Sequence, residues 1–455
     1  MPVSATFGLD IQFGASSAAW TSASADVRSR PGVRIAYGIA GDGPLDLVAP
    51  TGTMAFQLDN SIKNSQGASG AYSPDHASLR SGFAIGVGVR AKFTYSGSTF
   101  YKFVGKIDSV EPMPGRFRDQ SVSCEAVDWF DDAAKYKLRL IAVQTDKRAN
   151  QNLVTVIDSM SKKPTASSLA TGQDIFAYSL DNSQDETTTA LAEISKNVVS
   201  ELGRLYIVGD TATGGVLTFE DRHSRPKVTT ISASLANNMV DMRAARKNAT
   251  VFNRIKASAH PRELDVAASI LFTLQGKPQL SGQTCLVLTG QYTDPAQRGS
   301  IRVGGASMVT PASTTDYTAN SASDGTGTSL TANFAVTASY GGNSVRYQIN
   351  NNGTSSGYLT KLQARGIGIY DKEPTVSEQS DVPSINSYGE SVLEFDMPYQ
   401  NSALVTDDAA NFLLANYKDP TTRIDQIEFI GNKSDELMRA GLQVEPGDLV
   451  QITET

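Results

Sequence analysis

Side chains able to carry metal or acid–base chemistry are few in this sequence and lie far apart. Its three histidines are His76, His223 and His260, and its two cysteines are Cys124 and Cys285. A zinc site of the usual kind takes its ligands from Cys or His pairs at short spacing, and the sequence has no such pair. We therefore predict no metal site, no disulfide and no cofactor, and we expect each histidine in a turn or on the surface.

One serine has the spacing of a hydrolase nucleophile. Residues 353–357 read Gly-Thr-Ser-Ser-Gly, with Ser355 at the centre. In a hydrolase this serine sits on a sharp turn between a strand and a helix, and a histidine follows it in the chain. Here strand-like runs lie on both sides and His260 is the last histidine, so the pattern predicts a hairpin turn. Ser159 and Lys162 match a second nucleophile spacing at a helix end, and such a match arises readily by chance.

Two adjacent carboxylate pairs are the remaining candidates for acid–base work. They are Asp131-Asp132 and Asp407-Asp408. Each pair stands where a helix or turn is expected to begin, and carboxylates there stabilise the N-terminal end of a helix. We therefore favour capping over catalysis. The sequence contains no phosphate-binding loop, dinucleotide fingerprint, His-Glu-x-x-His or EF-hand loop. We predict no catalytic, cofactor-binding or metal-binding residue and expect that the protein is not an enzyme.

The elements that would position any such residue belong to a chain of several domains. At 455 residues the chain is too long for one compact domain. A charged content of only 19%, with abundant Ser, Thr, Asn and Gly, is typical of extracellular or virion β-proteins. The net charge of −7 argues against a nucleic-acid binder, and we interpret the short basic cluster at 243–247 as a solvated face. Neither a signal peptide nor a membrane span is indicated, so we expect synthesis in a cytoplasm.

Both ends of the chain have the pattern of short β-strands. The strand-like runs alternate apolar and polar residues and are separated by Gly, Asn, Asp and Pro, which is typical of barrels and sandwiches. They lie at 53–60, 87–95, 101–110 and 121–127 near the N-terminus, and at 391–397, 424–430 and 449–453 near the C-terminus. The polar loop at 60–80 is expected outside the core. Cys124 shares a strand face with Val122 and Ala126, so we expect it to point inward.

The middle of the chain predicts two further units. Apolar residues at helical spacing predict helices at 150–161 and 187–202, with Gly203 as the C-terminal cap, and a hairpin follows. A region rich in Ser, Thr, Gly and Asn predicts an inserted β-sandwich, although disorder is a competing interpretation of residues 313–329. Residues 407–417 predict a helix that Asp407 or a neighbour caps and that ends before Pro420.

These patterns predict a mainly β chain with α+β parts, divided into five segments. The segments are an N-terminal arm (1–30), a first β-barrel (31–144), a helix-plus-hairpin α/β domain (145–261), an inserted β-sandwich-like domain (262–372) and a second β-barrel with one helix (373–455).

The order of several short runs resembles the tail hub proteins of long-tailed bacteriophages, also called baseplate hub or minor tail proteins. The matching positions include Leu58-Asp59-Asn60, residues 88–90, Phe103, Gly105 and Asp108. Runs at 358–371, 381–390 and 408–424 and the closing Pro446-Gly447-Asp448 fit the same family. The resemblance covers roughly 45–145, 150–225 and 355–455, whereas 262–350 departs from it. Related proteins are the hubs of contractile-tail baseplates and the spike bases of type VI secretion.

The resemblance implies a mechanical role in the virion. Three copies of such a hub form a ring, and each copy supplies two tail-tube-like barrels, so that the trimer mates with a hexamer of distal tail protein. Other implied partners are the C-terminus of the tape-measure protein, tail-tip fibre or receptor-binding proteins, and DNA that passes through the lumen without specific binding. The implied location is the tail tip, with roles in host attachment and genome ejection. Many hubs also carry a C-terminal lytic or fibre domain, which we do not expect here.

Two other functions stay open at this point. The first is a receptor- or glycan-binding adhesin, in which exposed aromatic residues of the insert such as Tyr340 and Tyr347 stack on sugars. The second is a tail-associated cell-wall hydrolase, whose carboxylates would meet only in the folded chain.

Overall fold

The computed structural model describes residues 2–14, 18–41, 43–115, 120–181, 183, 185–293 and 303–453 of the chain. Strands make up 41% and helices 18%, which confirms a mainly β protein with α+β parts. The described strands form several sheets, and none of these sheets is closed into a barrel. Across the same residues, no helix has the length and apolar character needed to cross a membrane.

The first β unit is one antiparallel sheet of seven strands in the order β2-β1-β5-β6-β7-β4-β3. Its strands are β1 (Thr6–Gln12), β2 (Trp20–Ser22), β3 (Arg34–Ala36), β4 (Thr53–Asp59), β5 (Gly88–Tyr95), β6 (Ser98–Met113) and β7 (Ser121–Val127). Alternation along β4 buries Met54, Phe56 and Leu58 on one face. Phe56 lies opposite Cys124, which is buried as expected.

The loop at 60–80 lies over this core, so the expectation that it stays outside is wrong. Ala71 and Tyr72 are fully buried and join the core of the first β unit. The Tyr72 hydroxyl donates to Asp26, and the Tyr72 backbone N–H donates to Asn60 Oδ1 at 2.8 Å. One aromatic residue therefore anchors a mainly polar loop in the core.

The α/β unit contains three helices and two small sheets. Its elements are α1 (Trp129–Lys135), β8 (Gln144–Arg148), α2 (Ala149–Ser159), β9 (Ala166–Leu169), β10 (Ile175–Ser179), α3 (Ala190–Glu201), β11 (Arg204–Val208) and β12 (Val216–Glu220). Helices α2 and α3 bury their apolar faces together in the largest core of the chain. Leu202, with φ of 53°, caps α3 in the left-handed conformation, one residue before the predicted Gly203.

The insert that interrupts the chain is a β structure of two facing sheets. Three strands precede it, namely β13 (Ile231–Leu235), β14 (Asp241–Ala245) and β15 (Arg254–Ala259). Its own strands are β16 (Arg262–Leu264), β17 (Ser269–Thr273), β18 (Gln279–Leu280), β19 (Thr284–Gln291), β20 (Val303–Ala306), β21 (Tyr317–Asn320), β22 (Phe334–Tyr340), β23 (Ser344–Asn351) and β24 (Gly357–Asp371). The long strand β24 pairs with five others, and β23 lies between β19 and β22. Tyr317 is buried, so disorder is the wrong interpretation of this part of 313–329.

The C-terminal unit combines β13, β14 and β15 with the last part of the chain. Its later elements are β25 (Thr375–Ser380), α4 (Val382–Tyr388), β26 (Val392–Met397), α5 (Ala403–Tyr417), β27 (Arg423–Glu428), α6 (Asp435–Gln443) and β28 (Leu449–Ile452). Strand β15 lies between β25 and β26, β14 pairs with β27, and β13 pairs with β28. The insert therefore leaves and re-enters the chain between two strands of one sheet.

Helix α5 begins earlier than the sequence predicts. Its N-cap is Ser402, so Asp407 and Asp408 lie in the second turn and the capping interpretation of this pair is wrong. Asp407 accepts a hydrogen bond from Gln379 at 2.6 Å, which ties α5 to β25. The other pair lies as predicted in the first turn of α1, behind the N-cap Asp128.

Candidate assembly surface

The serine with nucleophile spacing lies in a turn between two sheets. Ser355 lies between β23 and β24, which do not pair with each other, so the predicted hairpin is wrong. No helix follows the turn, and the Ser355 carbonyl accepts a hydrogen bond from Asn351 at 3.0 Å. Because a nucleophilic serine needs a base and a strand-to-helix turn, this position suits chain reversal rather than acyl transfer.

The histidines lie apart in the fold as in the sequence. His76 is exposed and its Nδ1 accepts a hydrogen bond from the Ser78 backbone, as expected for a turn. His260 differs, because its ring lies between Asp371 at 3.1 Å and Asp396 at 2.5 Å. Hydrogen bonds to Asp371 and then Asp396 raise the pKa of His260 to about 9. His260 is thus a charged structural residue, and its partners lie more than 100 positions away in the sequence.

Arg262 completes this cluster at the base of the insert. Its guanidinium donates to Asp181 at 2.7 Å, to Asp371 at 2.9 Å and to the Pro398 carbonyl at 2.9 Å. The side chain is only 5% exposed. Since these partners belong to the α/β unit, the end of the insert and the C-terminal unit, Arg262 fixes three parts of the chain together.

Glu201 and Asp174 form one pair of neighbouring carboxylates in the fold. Burial raises the pKa of Glu201 to about 7, although the backbone of Gln173 and Asp174 donates to its carboxylate. Glu201 is 0% exposed, and Asp174 is held by Arg222 at 2.7 Å and by Gln400 at 2.7 Å. Both carboxylates are therefore occupied within the fold. Over the described ranges, no three His, Cys, Asp or Glu residues converge as a metal site.

Glu445 joins the C-terminal unit to the other two units. Its carboxylate accepts hydrogen bonds from Lys102 Nζ at 2.5 Å, the Tyr37 hydroxyl at 3.0 Å and the Gly209 backbone at 3.1 Å. Burial, with Glu445 beside it, raises the pKa of the Tyr37 hydroxyl. Glu445 directly precedes the turn at 446–448 that the sequence comparison singled out. The turn thus follows a junction at which β6, the β3–β4 connection and the β11–β12 hairpin meet.

Exposed apolar side chains concentrate on the C-terminal unit. Of the twenty large apolar side chains that are exposed in the described chain, twelve lie in or beside this unit. They are Val228, Ile231, Val240, Val376, Val382, Tyr388, Val392, Leu404, Phe412, Ile424, Ile430 and Leu449. Concentrated exposure of this kind marks surfaces that bind other proteins.

Open strand edges accompany these side chains. Among the described strands, β13 and β28 pair only with each other, as do β14 and β27. Two-stranded sheets are marginally stable on their own, and unpaired edges are templates for further strands. The basic cluster at 243–247 lies here, where the Arg243 side chain is 69% exposed and Lys247 pairs with Asp425 at 2.8 Å. This surface gains stability if a neighbouring chain covers it.

Helix α5 contributes an apolar notch to the same unit. Leu404 is 78% and Phe412 55% exposed, and the helix contains no Lys or Arg. The notch, which we call the α5 notch, has a volume of about 340 Å³. Its apolar lining is Leu202, Pro226, Val405, Ala409 and Phe412, and its polar rim is Asp174, Arg222, His223 and Asp408. An apolar side chain from another molecule fits such a notch.

The aromatic residues proposed for sugar stacking do not offer exposed ring faces. Tyr347 is 0% exposed within the core of the insert, so the expectation that it stacks on a ligand is wrong. The Tyr340 hydroxyl donates to the Val309 carbonyl at 2.7 Å. Their alternation on β22 and β23 turns them toward the inside of the insert.

Comparison with known proteins returns tail proteins as structural neighbours. No protein-family model and no curated protein matches the sequence. Similar solved structures include the 43 kDa tail protein of prophage MuSo2 from Shewanella oneidensis, with a TM-score of 0.36 and 11% identity, and a tail protein from Neisseria meningitidis MC58, with 0.37 and 10%. Each alignment covers 56% of this chain. It covers 66% of the Shewanella protein and 65% of the Neisseria protein. A third similar structure is the E. coli c3393 protein, a component of the type VI secretion system, with a TM-score of 0.28 and 9% identity. This alignment covers 80% of our chain and 74% of the c3393 chain.

Proposed function

We infer that this chain is a structural protein of a phage tail tip, a hub whose three copies form a ring at the distal end of the tail. One observation carries the proposal. Two β units are held together through Glu445, and the second of them leaves strand edges and apolar side chains uncovered. A subunit needs neighbours to bury such surfaces, whereas a free-standing enzyme needs a cleft.

Symmetry gives the two β units their role. A ring of three copies presents six β units, and these can face a hexameric partner only if each copy offers a similar surface twice. We assign the tube-like roles to residues 31–144, together with β1 and β2 of the same sheet, and to the C-terminal unit, 373–455, with β13, β14 and β15. In this proposal the open sheets become parts of barrel walls when the copies associate. The ring joins the hexameric distal tail protein to the tip.

The channel of this ring passes DNA during genome ejection. The net charge of −7 suits this passage, because an acidic wall does not hold phosphates whereas a basic wall retains them. The other proposed partners are the C-terminus of the tape-measure protein and fibre or receptor-binding proteins of the tip. The protein is made in the host cytoplasm and resides in the virion.

Mass photometry of the full chain, alone and with the distal tail protein, tests this function. We expect a particle of three times the 48.4 kDa of one chain, and a complex with the hexamer. A chain that stays monomeric in both conditions contradicts the hub. Cell-wall zymography runs in parallel, and a cleared zone that the full chain produces would favour the hydrolase instead.

A further inference from the structure

We propose that a turn of the first β unit, residues 61–64, inserts Ile62 into the α5 notch of a neighbouring copy of this chain. The inference rests on the proposed function, because it specifies the contact between adjacent subunits of the ring. A contact between two different surfaces repeats head to tail, and it closes into a ring when the rotation between copies allows it.

The turn that carries Ile62 is fixed by buried neighbours and by hydrogen bonds. Ile62 is 68% exposed, whereas its neighbours Ser61 and Asn64 are buried. Asn64 donates to the Ala68 carbonyl at 2.8 Å, and Asp26 accepts the Ser65 backbone N–H at 2.6 Å. An apolar side chain on a fixed turn loses little conformational entropy on binding, so it suits an anchor residue.

The α5 notch matches this side chain in chemistry. Phe412 and Ala409 of α5 contribute apolar lining, and Leu202 contributes more from the end of α3. The volume of about 340 Å³ accommodates one branched aliphatic side chain. Filling the notch removes the exposed ring of Phe412 from water, which favours association in proportion to the apolar area buried.

The charges around the two surfaces have opposite signs. Lys63 and Arg30 are exposed and line one open groove with Ile62. The carboxylates of that groove are Asp26, which is 1% exposed, and Asp59, which accepts the backbone N–H of Ser61 at 2.8 Å.

The rim of the notch carries a complementary carboxylate, Asp408. Asp408 is exposed on α5, whereas Asp174 forms an ion pair with Arg222 at 2.7 Å. His223 also faces the notch. Since α5 has no basic residue and Arg222 pairs with Asp174, Asp408 is the carboxylate that meets Lys63 or Arg30 of the neighbouring copy, and this charge pair fixes the orientation of the contact.

Disulfide trapping in the assembled full chain tests the contact. Ile62→Cys and Phe412→Cys are combined in a Cys285→Ser background, in which the remaining Cys124 is buried. Mild oxidation is expected to convert the ring into covalent dimers and trimers. The matched control pairs Phe412→Cys with Ile85→Cys, because Ile85 is equally apolar and 63% exposed on the same β unit. We expect no covalent trimer from the control pair.

A charge exchange provides a second measurement that does not depend on oxidation. Lys63→Glu is expected to weaken ring formation about fivefold, and Asp408→Lys in the same chain is expected to restore it. An intact ring without the Ile62–Phe412 cross-link, and with no rescue, overturns this contact but leaves the hub function in place. A chain that forms no ring at all overturns both.

Discussion

At the scale of single residues, Glu445 shows how one carboxylate sets the relation between distant parts of the chain. Its three donors come from β6, from Tyr37 and from the turn after β11. Lys102 is 10% exposed, so removal of Glu445 leaves a largely buried ammonium group without its counter-ion. The penalty for that uncompensated charge decides the effect of substitution.

We therefore expect Glu445→Ala to lower the free energy of unfolding by about 2 kcal/mol. Urea denaturation followed by circular dichroism measures this difference. Glu436→Ala, on the exposed side of α6, is the matched control and is expected to change stability little. Equal stability of the two variants would contradict the role of Glu445 as a junction.

Glu201 predicts a pH dependence of stability. Burial raises the pKa of Glu201 from 4.5 to about 7, so the folded chain binds a proton that the unfolded chain releases. The contribution of Glu201 is fully present below pH 4.5 and is lost as the pH rises through about 7. Burial also raises the pKa of Asp128 to about 7, so its contribution to stability is lost in the same direction of pH.

We expect the melting temperature to fall between pH 5 and pH 7.5, and to fall less in Glu201→Gln. The amide mimics the protonated acid, because it keeps one acceptor oxygen and carries no charge. The shifts at Asp128 and His260 are common to both proteins and cancel in the comparison. Identical slopes in the wild type and the variant would show that Glu201 titrates normally.

At the scale of elements, the loop at 60–80 depends on one side chain. Tyr72 fills the core below the loop and donates to Asp26, which also receives two bonds from Ser65. We expect Tyr72→Ala to destabilise the first β unit by about 3–5 kcal/mol and to make the loop sensitive to trypsin at Lys63. Tyr95→Ala, at a half-buried tyrosine whose hydroxyl donates to Asp435, is the control for the loss of an aromatic ring. Resistance of the loop to trypsin in Tyr72→Ala would contradict the anchor.

Local patterns in the sequence predict much of the element structure. Alternation identifies β4 and β7, with Cys124 facing the core, and helical spacing identifies α2 and α3. These features depend on neighbours a few positions away. The sequence places the start of α5 too late, because the N-cap Ser402 makes no side-chain cap bond whereas Asp407-Asp408 is a stronger local capping signal.

Long-range pairing could not be predicted in the same way. Lys102 and Glu445 are separated by 343 positions, and His260 and Asp396 by 136. No local pattern records such contacts, since each residue alone has the signature of an ordinary surface charge. The α5 notch is likewise made by Leu202 and Phe412, from two units that meet only in the fold.

At the scale of the whole molecule, the insert leaves and re-enters the fold at two adjacent strand ends, so the sheet around it can form without the insert. Ala259 at the end of β15 pairs directly with Thr375 at the start of β25 in an antiparallel register. The two ends therefore lie a strand spacing apart. On the other side, the insert contacts the α/β unit closely, since a Cβ at Gly342 would lie 2.2 Å from the Leu180 carbonyl oxygen. The attachment is firm, but the sheet of β25, β15 and β26 does not require it.

We expect a chain in which Asn-Gly replaces residues 260–374 to fold and to form the same ring as the full chain. The replacement joins Ala259 to Thr375 through a two-residue turn, which suits paired antiparallel strands. Mass photometry reports the ring, electron microscopy counts complete tails, and phage adsorption reports host binding.

Complete tails that no longer adsorb would assign host recognition to the insert, whereas complete tails with normal adsorption would leave it a structural part. Loss of the ring would contradict this expectation, because it would place the insert in the contact between subunits. A full-length Arg262→Ala chain serves as the control, since it loosens the insert while keeping its surface.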